Sequence, residues 1–86
     1  MQYKMVLQTA TGHLGWEYCF DIASDRMAIT YAASHAKSFA SCSWVHSILV
    51  FNIDPREPCE ALLASIKLSQ PEPIIEYKEM ADAIRP

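Results

Sequence analysis

The segment Trp44–Ile53 constrains the fold most, because it is apolar on both faces of a strand. It is rich in β-branched and aromatic residues, which favour extended structure. Leu49 and Phe51 fall on one predicted face, and Ile48 and Val50 fall on the other. Such a strand is either central in a sheet covered on two sides or part of an interface. Since 86 residues provide little material to cover two faces, the sequence favours an interface.

In the rest of the chain, the spacing of the apolar residues changes along the sequence and predicts separate strands and helices. Period-two alternation predicts strands over residues 2–9 and 16–22, and both glycines lie between them, which favours a β-hairpin. Helical periodicity then predicts a helix over residues 27–40 with Ser24 as its cap. A proline-rich break follows the apolar strand, and a second helix is predicted from Pro58 to about Ser69.

These elements define an α+β fold with the order β-β-α-β-α. We expect a single domain over residues 1–86, in which a small antiparallel sheet of three or four strands carries two helices on one face. The tail leaves two alternatives open, because residues 74–78 fit a short edge strand and residues 74–84 fit a last helix. The buried stripe of the first helix is mostly small and is predicted to contain Ala28, Ile29, Ala32, Ala36, Phe39 and Ala40.

Charge and composition argue against several classes of function. The formal net charge of −3 lies in the C-terminal third, and no two basic residues are adjacent, which argues against direct nucleic-acid binding. Weak binding through Arg26 and Lys37 on the first helix stays an alternative. No apolar run approaches the roughly 18 residues of a membrane helix. The absence of a secretory-signal pattern and an odd number of cysteines predict a cytoplasmic protein with reduced thiols.

Nucleophile and metal-ligand patterns are sparse. Cys42 and His46 are the nearest such pair, but an extended chain from Trp44 onward separates them by roughly 13 Å, too far for a hydrogen bond. Cys59 lies at the predicted start of the second helix, where a helix dipole favours thiolate. A small thiol- or zinc-dependent enzyme using Cys42, His46 and Cys59, with Cys19 as a further ligand, is therefore kept as the alternative function. The preferred interpretation has no catalytic residue, metal or cofactor.

Two surfaces are predicted to bind a partner. The first is one face of the apolar strand, with Trp44, His46, Ile48 and Val50. The second is an acidic stripe that forms if the tail is helical, with Glu72, Glu76 and Glu79. Trp16, Tyr18 and Phe20 are expected in the core, whereas Trp44 and Tyr31 lie at boundaries where rings also anchor interfaces. The sequence thus predicts a non-enzymatic protein-interaction module, with a homodimer as one form of partner.

One segment carries a family resemblance. Residues 20–32, Phe-Asp-Ile-Ala-Ser-Asp-Arg-Met-Ala-Ile-Thr-Tyr-Ala, join a strand, a cap and a helix. With its small size, mild acidity and β-β-α-β beginning, the chain resembles the small phage-encoded inhibitor proteins, anti-CRISPR proteins among them. The resemblance implies an inhibitor that binds a large host protein or nucleoprotein complex and blocks nucleic-acid access or nuclease recruitment. It assigns no site residues.

Overall fold

The computed structural model describes residues 2–39, 41–53, 61–68 and 73–78. These residues form five strands and one helix in the order β-β-α-β-β-β. In chain order the elements are β1 Gln2–Gln8, β2 Leu14–Asp21, α1 Asp25–Phe39, β3 Ser47–Ile53, β4 Ala61–Lys67 and β5 Ile74–Tyr77.

The five strands form one antiparallel sheet in the order β2-β1-β3-β4-β5. Met5 pairs with Tyr18 on one side and with Val50 on the other, and Val50 pairs with Ala64. Because paired residues of antiparallel strands point to the same face, this line of side chains marks one face of the sheet. The apolar strand β3 is central in the sheet; its Ile48 and Val50 are fully buried on the face that carries α1, and its Leu49 and Phe51 are half-buried on the other face.

α1 packs on that face and mainly over β3 and β4. Its start is capped as predicted, because the amide of Met27 donates to Ser24 Oγ at 3.2 Å. Four small or branched side chains of α1 are buried against the sheet: Ala28, Ile29, Ala32 and Ala36. The predicted stripe is confirmed at these positions, Phe39 is partly buried, and Ala40 lies outside the described residues.

The predicted hairpin is also confirmed, since β1 and β2 pair in an antiparallel manner. Gly12 has φ +89°, a backbone conformation that favours glycine. The turn is closed by the amide of Thr9, which donates to the carbonyl of His13 at 2.9 Å, and by the amide of Gly12, which donates to the carbonyl of Thr9 at 3.0 Å.

The expected fold class is wrong in its second half. Two helices on a sheet of three or four strands are not observed, because residues 61–67 form β4 rather than a second helix. Leu62, Leu63 and Ile66 have helical spacing, but Leu63 is the extra residue of a bulge, which breaks the period of two that a strand normally shows. Residues 58–60 and 69 of the predicted helix lie outside the described residues.

Of the two alternatives for the tail, an edge strand or a last helix, the structure shows a strand at its first residues. Ile74–Tyr77 pairs with β4 as the edge strand β5, with Ile75 opposite Ile66. Residues 79–84 lie outside the described part of the chain.

Candidate interaction surface

The structure divides the four predicted sheet-face residues into two pairs. Ile48 and Val50 are fully buried in the core beneath α1, so no partner reaches them while the helix stays packed. Trp44 and His46 precede β3 and are exposed. The alternation correctly placed Ile48 and Val50 on one face, but it could not indicate that α1 covers this face.

The opposite face of the sheet carries the other apolar side chains of β3. Leu49, Phe51 and Ile53 are half-buried there, and no described helix lies over them. Lys4 extends across this face, with its Nζ 5.3 Å from the centre of the Phe51 ring and 3.6 Å from a carboxylate oxygen of Glu17. The alkyl stem of this lysine thereby shields part of the apolar surface.

The predicted acidic stripe is not formed as a helix over the described residues. Glu76 lies in the strand β5, is exposed, and has a carboxylate oxygen 3.4 Å from Nζ of Lys67 on β4. Both side chains are about half exposed, so solvent screens this pair. Glu72 and Glu79 lie outside the described residues.

A group of exposed aromatic side chains instead lies beside α1, on β2 and the α1–β3 loop. Trp16 is 67% exposed and Trp44 is 43% exposed, with ring centroids 6.3 Å apart in an edge-on arrangement. At the other end of this surface, the rings of Phe20 and Tyr31 contact each other with centroids 4.8 Å apart. Tyr18 lies between Trp16 and Phe20 on the same strand face. We call this surface the aromatic patch and define it by Trp16, Tyr18, Phe20, Tyr31 and Trp44.

The position of α1 explains why the patch is exposed. The helix packs mainly over β3 and β4, so β2 lies beyond its edge at the margin of the sheet. Phe20 is partly covered because Tyr31 reaches it from α1, whereas Trp16 has no such cover. The prediction that Trp16 and Tyr18 belong to the core is therefore wrong. Tyr31 and Trp44, predicted at boundaries between faces, are 39% and 43% exposed, and Trp44 precedes β3.

The ring of Trp44 packs directly against the backbone of Gly15. A Cβ atom at this position would lie 2.9 Å from Cζ3 of Trp44 and 3.3 Å from the carbonyl oxygen of Leu7. The missing side chain lets the indole approach the backbone of β2 and contact Trp16. Sequence analysis assigned this glycine only to the turn and missed its role in positioning Trp44.

Behind the patch, a hydrogen-bonded group joins α1 to the sheet. The buried hydroxyl of Tyr3 donates to Asp25 Oδ1 at 2.7 Å, and its ring stacks on Phe20 with centroids 5.8 Å apart. Burial, reinforced by the carboxylate of Asp25, raises the pKa of the Tyr3 hydroxyl above its ordinary value. Tyr3 therefore stays protonated and keeps donating, which fixes the ring that supports Phe20.

The candidate thiol and metal residues do not converge in the described structure. Cys42 is half-buried in the loop after α1, and Nδ1 of His46 lies 2.8 Å from Oγ of Ser47. Cys19 is exposed on β2, and Cys59 lies outside the described residues. Among the residues that the structure describes, no group of three or more His, Cys, Asp or Glu side chains could hold a metal ion.

The two basic residues of α1 do not form a patch with each other. Arg26 is in the first turn and Lys37 is in the last turn, and both are exposed. A rise of 1.5 Å per residue places them about 16 Å apart along the helix axis. This distance gives no clustered positive charge for a phosphate backbone.

Comparison of the chain with protein-family models, curated proteins and solved structures found no match. Within the described residues, no helix has the length and apolar content that crossing a bilayer requires.

Proposed function

We propose that this chain is a small non-enzymatic protein-interaction module whose contact surface is the aromatic patch. The observation that carries the proposal is the exposure of Trp16 beside Trp44 on a surface that α1 leaves uncovered. Large contiguous apolar patches are rare on monomeric proteins and mark interaction sites. Tryptophan and tyrosine also supply a disproportionate share of binding energy at interfaces.

The chemistry of the patch favours a protein partner over nucleic acid. Aromatic rings also stack on unpaired bases, but such sites combine the rings with a positively charged groove. The five side chains of the patch include no lysine or arginine, and the chain as a whole is acidic. A protein surface with apolar side chains that pack against the exposed sides of Trp16 and Trp44 suits this arrangement better.

The proposed biological role is inhibition of a host protein or nucleoprotein complex. This part of the proposal is supported by the resemblance to small phage-encoded inhibitors of the anti-CRISPR type. An inhibitor of this size acts by occupying a surface, and an exposed aromatic patch supplies the required contact area without a catalytic site.

Affinity capture with matched variants tests the proposal. Immobilised wild-type protein is used to capture a partner from host lysate, and the partner is purified and titrated with the variants by calorimetry. The Trp16→Ser, Trp44→Ser double variant removes the centre of the patch. We expect its affinity for the partner to fall by at least about tenfold.

Ile74→Ser is the matched control, because Ile74 is 53% exposed but lies on β5 at the other edge of the sheet. It is expected to bind like the wild type. Equal affinities of the double variant and the wild type, with both folded by circular dichroism, would contradict the assignment of the patch.

A further inference from the structure

β2 lies at one edge of the sheet and has a strand neighbour on one side only among the described residues. It is eight residues long and contains neither proline nor lysine; the features that oppose pairing along it are Glu17, Asp21 and the bulge at Gly15–Trp16. The other edge strand, β5, has only four residues, and Pro73 immediately precedes it. The two edges therefore differ, and β2 is the one suited to accept another strand.

We infer that β2 pairs in an antiparallel manner with β2 of a second copy of this chain, about a two-fold axis at Tyr18. The interaction is made by the backbone groups along the outer side of β2. It goes beyond the proposed function, because it names a second copy of this chain as a partner and uses the backbone edge of β2, with three rings of the aromatic patch beside the junction.

The register follows from two physical requirements. Paired residues of antiparallel strands share a face, so a symmetric pairing must be centred on a residue rather than between two residues. Centring at Glu17 would place this carboxylate against its own copy, and centring at Cys19 would place Glu17 against Asp21. Like charges directly opposite each other are destabilising.

Centring at Tyr18 avoids both conflicts and, unlike centring at Trp16 or Phe20, keeps the axis in the middle of β2. It places Trp16 opposite Phe20, Glu17 opposite Cys19, and Tyr18 opposite its own copy. Aromatic cross-strand pairs of this kind add to the stability of a sheet. Of the two acids of β2, Asp21 lies opposite Gly15, and Glu17 is partly compensated within its own chain, because Nζ of Lys4 lies 3.6 Å from its carboxylate.

The geometry of β2 is compatible with this pairing. From Glu17 to Asp21 the strand pairs with β1 without interruption, and the irregularity of the ladder lies nearer the turn, between the Val6 and Gln8 pairings. The edge is therefore regular from Glu17 to Asp21, and Trp16 lies with Gly15 in the bulge opposite Leu7. Because a two-fold axis at Tyr18 would run perpendicular to the sheet, both aromatic patches would lie on the same side of the dimer.

The proposed dimer is tested by placing charges at Tyr18, the residue on the two-fold axis. Tyr18→Lys places two ammonium groups against each other, and Tyr18→Glu does the same with two carboxylates. Sedimentation velocity is expected to show a concentration-dependent mass of twice 9.7 kDa for the wild type and a monomer for each variant alone. An equimolar mixture of the two variants is expected to regain the dimer, since lysine then meets glutamate.

The matched control uses Tyr31, which is 39% exposed compared with 37% for Tyr18 and lies on α1, where its ring contacts Phe20 but forms no part of the strand edge. Tyr31→Lys and Tyr31→Glu are expected to remain dimeric. A wild-type chain that is monomeric at all concentrations would overturn the inference, as would dimers of both Tyr18 variants or a mixture that stays monomeric. The capture experiment substitutes Trp16 and Trp44 and leaves Tyr18 unchanged, so the contact surface and the dimer axis are tested at different residues.

Cross-linking in an otherwise unchanged chain checks the register independently. Glu17→Cys places a thiol opposite the native Cys19 of the second copy, and glutathione disulfide serves as the oxidant that accepts the two electrons and two protons of the thiols. We expect a covalent dimer on a non-reducing gel. Asp21→Cys, whose position faces Gly15 in this register, is expected to give no more dimer than the wild type. Equal cross-linking of the two variants would contradict the Tyr18-centred register.

Discussion

Tyr3 is the residue that joins the most elements behind the aromatic patch. Its hydroxyl reaches from β1 to Asp25 at the start of α1, and Asn52 Nδ2 of β3 donates to the same carboxylate oxygen at 3.2 Å. A helix that begins on this carboxylate is held at a fixed position over the sheet. The exposure of β2 depends on that position, so Tyr3 affects the patch without being part of its surface.

Tyr3→Phe is expected to destabilise the fold while keeping the ring that stacks on Phe20. Loss of one hydrogen bond to a charged acceptor typically reduces the free energy of unfolding by about 1.5–3 kcal/mol. Urea unfolding measures this change. Tyr18→Phe removes a hydroxyl from the surface instead and is expected to have a smaller effect.

Tyr3→Phe is also expected to change how the free energy of unfolding depends on pH. Since burial raises the pKa of Tyr3 in the folded state, the stability from its protonated form is complete below about pH 10 and is lost as pH rises above that value. The free energy of unfolding should therefore fall less steeply above about pH 10 in Tyr3→Phe than in the wild type. Identical slopes would contradict this role of Tyr3.

Some residues of the aromatic patch could be predicted from the sequence alone. Tyr31 and Trp44 could be recognised because they fall between the apolar and polar faces of their segments. Trp16 could not, because a ring that alternates correctly along a strand is equally compatible with a covered and an uncovered face. Which of these applies depends on where α1 packs, and this is not a local property of the sequence.

At the scale of elements, the alanine stripe of α1 determines how closely the helix approaches the sheet. Ala28 and Ala32 have no exposed surface, so the space between α1 and β3 is filled. Helices with larger residues at such positions would stand further from the sheet and would cover a different part of it.

Ala32→Leu is therefore expected to overpack this contact and lower the free energy of unfolding by about 1–3 kcal/mol. Ser38→Leu is the control, because it places the same side chain on an exposed position of the same helix. Chemical denaturation compares the two. Equal stability of the two variants would mean that α1 is not closely packed at Ala32.

The elements also show where prediction from the sequence ends. The hairpin and α1 could be predicted because each has local signals, a pair of glycines and a serine cap. β4 could not, because it lies inside the sheet with apolar residues on both faces and contains a bulge. Both features remove the alternation by which an isolated strand is recognised.

At the scale of the whole molecule, the described residues place one helix over a five-stranded sheet, and this helix leaves the flank at β2 uncovered. α1 mainly covers β3 and β4, and β2 projects beyond it with its rings exposed. The interface that the sequence predicted from the two apolar faces of Trp44–Ile53 is therefore proposed on a different strand. Trp44 is the one predicted contact residue that also belongs to the aromatic patch.

The most direct test of the proposed contact surface uses tryptophan fluorescence, because both tryptophans of the chain lie in the aromatic patch. Acrylamide quenching is measured for the free protein and for its complex with the captured partner, which is labelled with a non-fluorescent tryptophan analogue. We expect the quenching constant to be high in the free protein and to fall on binding, as the partner covers Trp16 and Trp44. A stable complex in which the quenching constant is unchanged would show that the partner binds elsewhere.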